Sequence, residues 1–396
     1  MSRRVAVVGV GHSKFGKRSD ALLEGLAREA VQEALDDARL SPRDVEFLYV
    51  SNTGLSHDSL PAVEVAEACG LTPKGSMRIE AACASGSAAV YAAYMAIRSG
   101  LIDVALVVGV EKMTELPTPD MVELIGRAGN YLWEFQHFGL TFPGYYALYA
   151  TAYLHAYPAA RPEDLAEVAI KNHHYGALNP KAHMRRPITL DEYLGSKMIA
   201  WPLRLYDCTL ISDGAAAVVL AGEELARRLS DAPVWIEGLA GATGTYNLSL
   251  RGDFLGLEPA ALAAKEAYRR AGIDWENPTS QLDVAEVHDC FTIAELLAYE
   301  DLHFCPRGEG YKLARERQTY AGGKIGVNLD GGLKAKGHPI GATGVSMYVE
   351  VTRQLQGRVE KGRQAPIRRG RGLVHNVGGT GHYAYVGIVS LGEGKA

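Results

Sequence analysis

Glu80-Ala81-Ala82-Cys83-Ala84-Ser85-Gly86-Ser87-Ala88-Ala89 sets a cysteine where a strand gives way to a helix of very small residues. The strand is Met77-Arg78-Ile79, and the helix is predicted to run from Ala84 to Ser99, ahead of another strand from Val104 to Val110. Small side chains let neighbouring backbones come close, so this helix belongs in the core with its N-terminus aimed at something. Unpaired N–H groups and the positive end of the helix dipole are expected there to lower a thiol pKa and to hold an oxyanion. Cys83 is thus either a nucleophile or, as free cysteines commonly are, a small core hydrophobe.

Upstream, the apolar run Val5 to Gly11 reads as a first buried strand and is too short for a signal-peptide core. Leu22, Leu23, Leu26, Ala30, Val31 and Leu35 recur at helical spacing between Asp20 and Leu40, and Val45 to Val50 reads as a strand. This alternation implies βαβ units around a buried sheet. A second round mirrors the first: strand Val234 to Leu239, helix Pro259 to Ala271, strand Val284 to His288, helix Phe291 to Leu302, a small-residue helix from Gly341 to Leu355, and strands Leu373 to Val377 and Ala384 to Leu391. Two similar α/β halves are expected, 1–113 with 207–231 and 232–396. Residues 114–206, rich in Tyr, His, Pro and Arg and without a sheet pattern, form an insertion that reads as a cap over an active site or as a dimerisation arm.

The 396 residues are 47% hydrophobic and 22% charged, enough for more than one packed core. A net charge of −5 without long like-charge runs gives no polyanion-binding surface, so no nucleic acid is expected. No stretch reaches the length of a membrane span. Five scattered cysteines make no disulfide framework and fit a reducing cytoplasm.

Three further segments carry chemistry. Gly337-His338-Pro339-Ile340-Gly341-Ala342-Thr343-Gly344 puts His338 before a small-residue helix, in the place within the second half that Cys83 holds in the first. A pseudo-twofold axis would then bring thiol and imidazole together as nucleophile and base. The preceding Gly331-Gly332 is no phosphate loop, because Gly337 is followed by His-Pro rather than Lys and a hydroxyl residue; Gly9-Val10-Gly11 likewise lacks the third glycine of a dinucleotide site. His288-Asp289-Cys290-Phe291 closes a strand and opens a helix, where loops line the crevice of an α/β protein. Zinc on His288, Cys290, His303 and Cys305 is rejected, since the intervening helix would separate the pairs by roughly 18 Å. Cys69, Cys208 and Cys305 read as structural. His375-Asn376-Val377-Gly378-Gly379-Thr380-Gly381 is a strand breaking into glycines, either a ligand-approach loop or a simple turn.

Together with Ile211-Ser212-Asp213-Gly214-Ala215-Ala216-Ala217, these motifs resemble the thiolases, in particular the sterol-carrier-protein and archaeal types, over nearly the whole chain. The resemblance implies the thiolase fold: two βαβ-containing halves in a layered αβαβα arrangement, with an inserted loop domain covering the pantetheine arm. It implies that Cys83 takes the acyl group and His338 activates it. His288, where many thiolases have Asn, would join His338 in one oxyanion hole, and the N–H groups of Cys83 and Gly378 would form another. Many thiolases carry a second cysteine at the position of Asn376, and Cys290 is expected to replace it as the acid/base at the substrate α-carbon. His137-Phe138-Gly139 resembles the pantetheine-covering loop. Arg185, Arg186 and Arg204 are candidates for the CoA phosphates or surface charges.

The activity implied is acetyl-CoA C-acetyltransfer or 3-ketoacyl-CoA thiolysis, with coenzyme A as substrate, no cofactor and no metal. Partners implied are a second or further copy of the chain (dimer or tetramer), and an OB-fold protein with a downstream synthase. The rival readings are a retro-aldol lyase on a CoA ester, which needs no acyl-enzyme, and a non-catalytic subunit or scaffold.

Overall fold

The computed structural model describes residues 3–54 and 59–392. The first half runs β1 (Val5–His12), α1 (Leu23–Ala38), β2 (Phe47–Ser51), α2 (Pro61–Ala68), β3 (Gly75–Ile79), α3 (Ser85–Arg98) and β4 (Val104–Glu111). After the insertion come β7 (Gly214–Gly222) and α8 (Glu223–Leu229). The second half runs β8 (Val234–Thr243), α9 (Glu258–Ala271), β9 (Val284–Glu286), α10 (Thr292–Asp301), α11 (Gly310–Arg315), β10 (Gly326–Val327), α12 (Gly332–Lys336), α13 (Ile340–Leu355), β11 (Arg371–Gly378) and β12 (Tyr383–Ser390). Of these, α2, α11 and α12 carry no periodicity long enough to be read from the sequence.

Ten strands join in one sheet of order β10-β9-β11-β12-β8-β1-β7-β4-β2-β3. Its two ends are mirror images in chain order: β1, β2, β3, β4 and β7 correspond to β8, β9, β10, β11 and β12. The halves meet where β1 runs antiparallel to β8, through Ala6 opposite Trp235 and Val7 opposite Val234. β1, β4 and β7 are buried along their whole length, which explains their near-continuous apolar sequence. α1 covers β1 and β7 from outside, and α9 covers β8 and β12. α13 touches β4 and β7 of the first half, β11 and β9 of the second, and α3. The small-residue helices therefore form the middle layer of the expected αβαβα stack.

Contact between α3 and α13 is backbone to backbone. A Cβ added at Gly86 would lie 2.5 Å from the Val345 nitrogen, and one at Gly344 would lie 2.5 Å from the Ser87 nitrogen and 2.2 Å from Asn376 Oδ1.

The insertion is mainly helical: α4 (Thr118–Gly126), a π-helical turn at Tyr131–His137, α5 (Phe142–Ala156), α6 (Pro162–Leu178) and α7 (Leu190–Leu194). It also holds a two-stranded hairpin, β5 (Met198–Ala200) with β6 (Leu203–Arg204), which corrects the expectation of no sheet there. At its root, Asp213 accepts hydrogen bonds from the Met113, Thr114 and Arg18 N–H groups and from Lys112 Nζ at 2.7–3.0 Å, tying the start of the insertion to β7.

Gly344→Ala is expected to force α3 and α13 apart and to lower stability in urea unfolding by about 1–3 kcal/mol; an unchanged midpoint would contradict the packing described.

Candidate active site

Cys83 sits in a tight elbow between β3 and α3. Ala82 adopts φ +50°, a strained left-handed conformation for a residue with a side chain. Glu80 Oε1 accepts the Ala82 N–H at 2.6 Å, Ser85 Oγ accepts the Ala81 N–H at 2.8 Å, and the Ser85 hydroxyl donates to Ala82 O at 2.6 Å. These local bonds hold the thiol at the head of α3, only 6% exposed.

His338 follows Gly337, whose φ of +113° suits glycine, and precedes α13. Its Nδ1 lies 2.6 Å from Thr343 Oγ1, and that hydroxyl donates to Pro339 O at 3.0 Å. With its proton committed, Thr343 accepts Nδ1–H and leaves Nε2 bare. His288 has the opposite tautomer. Asn376 Nδ2 donates to Cys83 O at 2.9 Å and lies 3.2 Å from His288 Nδ1, while Asn376 Oδ1 faces the Ser87 N–H at 3.4 Å. His288 Nδ1 therefore accepts, and its Nε2–H finds no acceptor among the described residues. The two rings meet edge to face at 5.3 Å. The Cys83 sulfur and one nitrogen of each ring all lie within 4.8 Å of one another. One imidazole offers a lone pair and the other an N–H.

Asp289 is a clamp: it accepts from the Leu333 and Lys334 N–H groups at the head of α12 and from Asn172 Nδ2, at 2.7–3.2 Å. It thereby locks the His288 segment to the one leading into His338. Burial followed by the charge of Glu295 pushes its carboxyl well up. Cys290 is held by Thr209, whose N–H donates to Cys290 O at 3.0 Å. The hydroxyl of Tyr146 on α5 donates to Gly379 O at 3.3 Å, with the Cys290 sulfur near enough to interact with it. The N–H groups of Gly379 and of Cys83 itself are directed at the Cys83 sulfur. Gly378 ends β11, with a Cβ added there falling 2.3 Å from Ala81 O. Thr343, Tyr146 and Gly379 were given no individual role from the sequence; Thr343 and Gly379 lie within segments quoted there, and Tyr146 left no readable signal.

Cys83, Cys290 and His338 line a cavity of about 230 Å³ walled by Met113, Val122, Ile125, Phe142, Ile211 and Ile340. Burial in this apolar setting pushes the Cys83 thiol up to about 12, against the Gly379 and Cys83 N–H groups. The helix N-terminus therefore yields no resting thiolate, contrary to the sequence expectation. Burial, then Lys336, holds His338 down at about 3, and burial followed by His338 and His375 lowers His288. Thiol and imidazoles are all neutral near pH 7. Cys208, read from the sequence as structural, lines the same cavity.

His137, Phe138 and Gly139 are exposed at the end of the π-helical turn and do not line the cavity; α4 and the head of α5 cover it instead. Arg186 pairs with Glu192 at 2.5 Å. His303 stacks on Trp275 at 4.7 Å, remote from any metal role with His288.

Residues 5–224 match the family described as Thiolase, N-terminal domain, and residues 240–391 match Thiolase C-terminal domain-like. The chain is 40% identical to an acetyl-CoA acetyltransferase of Methanothermobacter thermautotrophicus, covering 98% of this chain and all of that one. It is 32% identical to sterol carrier protein 2 of Gallus gallus, covering 96% of this chain and 70% of that one. Among solved structures, an Ltp2-ChsH2(DUF35) aldolase superposes with a TM-score of 0.84 at 27% identity, over 98% of this chain and 97% of that one. The paired halves, the cysteine elbow and the facing histidines are thus set in a sequence matched along nearly its full length, and the chain belongs to the thiolase family.

Proposed function

We propose that this chain is a CoA-dependent acyltransferase that condenses two acetyl-CoA molecules to acetoacetyl-CoA and CoA, or cleaves a 3-ketoacyl-CoA, through an acyl group on Cys83. The observation that carries this reading is the convergence of Cys83, the bare nitrogen of His338 and the N–H of His288 beside a second buried thiol, Cys290. His338 takes the Cys83 proton as sulfur attacks the thioester carbonyl, then returns it to the departing CoA sulfur. His288 Nε2–H, joined by His338 once protonated, holds the thioester oxygen. N–H groups of Cys83 and of the Gly378–Gly379 turn hold the acyl-enzyme oxygen. Each such donor contributes about 2.7–4 kcal/mol to the transition state. With the Cys290 proton passed to His338, the Cys290 thiolate takes a proton from the α-carbon of a second acetyl-CoA, and the enolate displaces Cys83, whose sulfur regains a proton from His338. The clamp by Asn376 is a positioning role.

Relatives named acetyl-CoA acetyltransferase at 40% and 37% identity support this reading over a lyase. The likeness to an aldolase solved with ChsH2(DUF35) supports a second one, retro-aldol cleavage of a CoA ester with a partner protein. A lyase has no use for an acyl-carrying thiol, so the retained Cys83 favours transfer. Residues 114–206 serve as the cap. β3 is an edge strand with Met77 exposed, which supports pairing with a second copy across that edge. An OB-fold partner with a downstream synthase is a further assembly in keeping with this reading. No helix among the described residues is long and apolar enough to cross a membrane, and the free cysteines fit the cytoplasm.

Cys83→Ala is expected to cut thiolysis of acetoacetyl-CoA by about 10³-fold or more; full activity would end the proposal. Asn376→Asp, which sets an acceptor against His288 Nδ1 and turns its proton away from the cavity, should lower kcat about 10²-fold with little change in KM. Alkylation of Cys83 by iodoacetamide should climb with pH through 9, because the resting group is a thiol; a rate already level at pH 7 would indicate a preformed thiolate.

A further inference from the structure

Tyr146 belongs to the insertion, yet its side chain is fully buried against Phe291 and Gly379, two residues that line the cavity. Its ring stacks on Phe291, the residue after Cys290, with centroids 4.7 Å apart and planes 23° apart. Two acceptors compete for its single hydroxyl proton: Gly379 O at 3.3 Å and the Cys290 sulfur. Cys290, like Cys83, is hard to ionise. Burial opposes its charge first, Cys83 and Asp289 oppose it further, and besides Tyr146 it meets the N–H of Phe291. Arg251, the cation acting on Tyr146, is turned to Tyr149 Oη and Thr380 O.

We propose that Tyr146 is the positioning residue for α-carbon proton transfer, its hydroxyl turning between Gly379 O and the Cys290 sulfur as that sulfur loses and regains its proton. The inference rests on the assignment of Cys290 given above. In the condensing direction the α C–H bond of acetyl-CoA breaks, its proton forms an S–H bond on Cys290, and its electron pair becomes the enolate. Before that step the Tyr146 O–H donates to the Cys290 thiolate. Afterwards it donates to Gly379 O and accepts from the new S–H. The tyrosine proton is never transferred. The cap would thus be coupled to chemistry, since the donor that favours the base arrives only when α5 is seated on the core.

The test is Tyr146→Phe, which keeps the ring stack and removes only the hydroxyl, with Tyr149→Phe as a comparison that removes a neighbouring hydroxyl touching neither sulfur. Two half-reactions are read: CoA release on acylation of Cys83 by acetyl-CoA, and exchange of the acetyl α-protons of acetyl-CoA with deuterated water. Y146F should release CoA at the wild-type rate while α-proton exchange falls about 10- to 100-fold and its pH midpoint moves upward. Y149F should leave the exchange at the wild-type level. Equal loss of both half-reactions in Y146F, or exchange that is undisturbed, would overturn the proposal. CoA release by the wild-type chain leaves the acyltransferase reading standing in either case, and its absence there would count against that reading instead.

Discussion

Two helices touching backbone to backbone at the centre of the molecule govern the rest. Gly86 and Gly344 let α3 and α13 approach until a methyl group at either position would strike the other helix. That approach makes the heads of the two helices neighbours, and Cys83 and His338 sit at those heads. Everything the site needs from distant parts of the chain is hung on this pair. Asn376 reaches in from β11 to hold Cys83 O and His288, and Asp289 ties the His288 segment to α12. A larger residue at the crossing would leave Cys83 and His338 in the sequence but drive apart the helices that bring them together.

Building a site between buried helices sets its electrostatics. Burial raises the thiols and lowers the imidazoles, so the resting site is uncharged and its hydrogen-bond donors are unspent. The N–H of His288 has no protein acceptor among the described residues and the nitrogen of His338 carries no proton, an arrangement set by Asn376 on one side and Thr343 on the other. A negative oxygen arriving on a substrate would find donors that need no reorganisation. The helix N-terminus, expected from sequence to lower the thiol pKa and to hold an oxyanion, does not outweigh burial at the thiol.

The repeat of strand and helix, the two small-residue helices and the position of His338 in the second half were legible because each rests on a local pattern: periodicity, residue size, or order along the chain. The mirrored sheet follows from those patterns. What escaped depends on contacts between segments far apart in sequence. Tyr146 is one tyrosine among several on α5, and nothing in its neighbourhood distinguishes the ring that stacks on Phe291 from those that pack elsewhere. Cys208 read as structural, and its place in the cavity wall follows from the pairing of its segment with Phe291. His137, Phe138 and Gly139 matched a family pattern but lie on an exposed turn, while α4 closes the cavity with apolar residues that carry no motif. The desolvation that reverses the thiol's expected acidity belongs to the packed fold and to no stretch of sequence.

The most direct trial of this account is to incubate the protein with isotopically labelled acetyl-CoA, quench, and locate the label by peptide mass spectrometry. A single acetyl group on the peptide bearing Cys83, released when CoA is added, is the predicted result. Label confined to Cys290 or Cys208, or none on any cysteine while acetoacetyl-CoA is still formed, would contradict it.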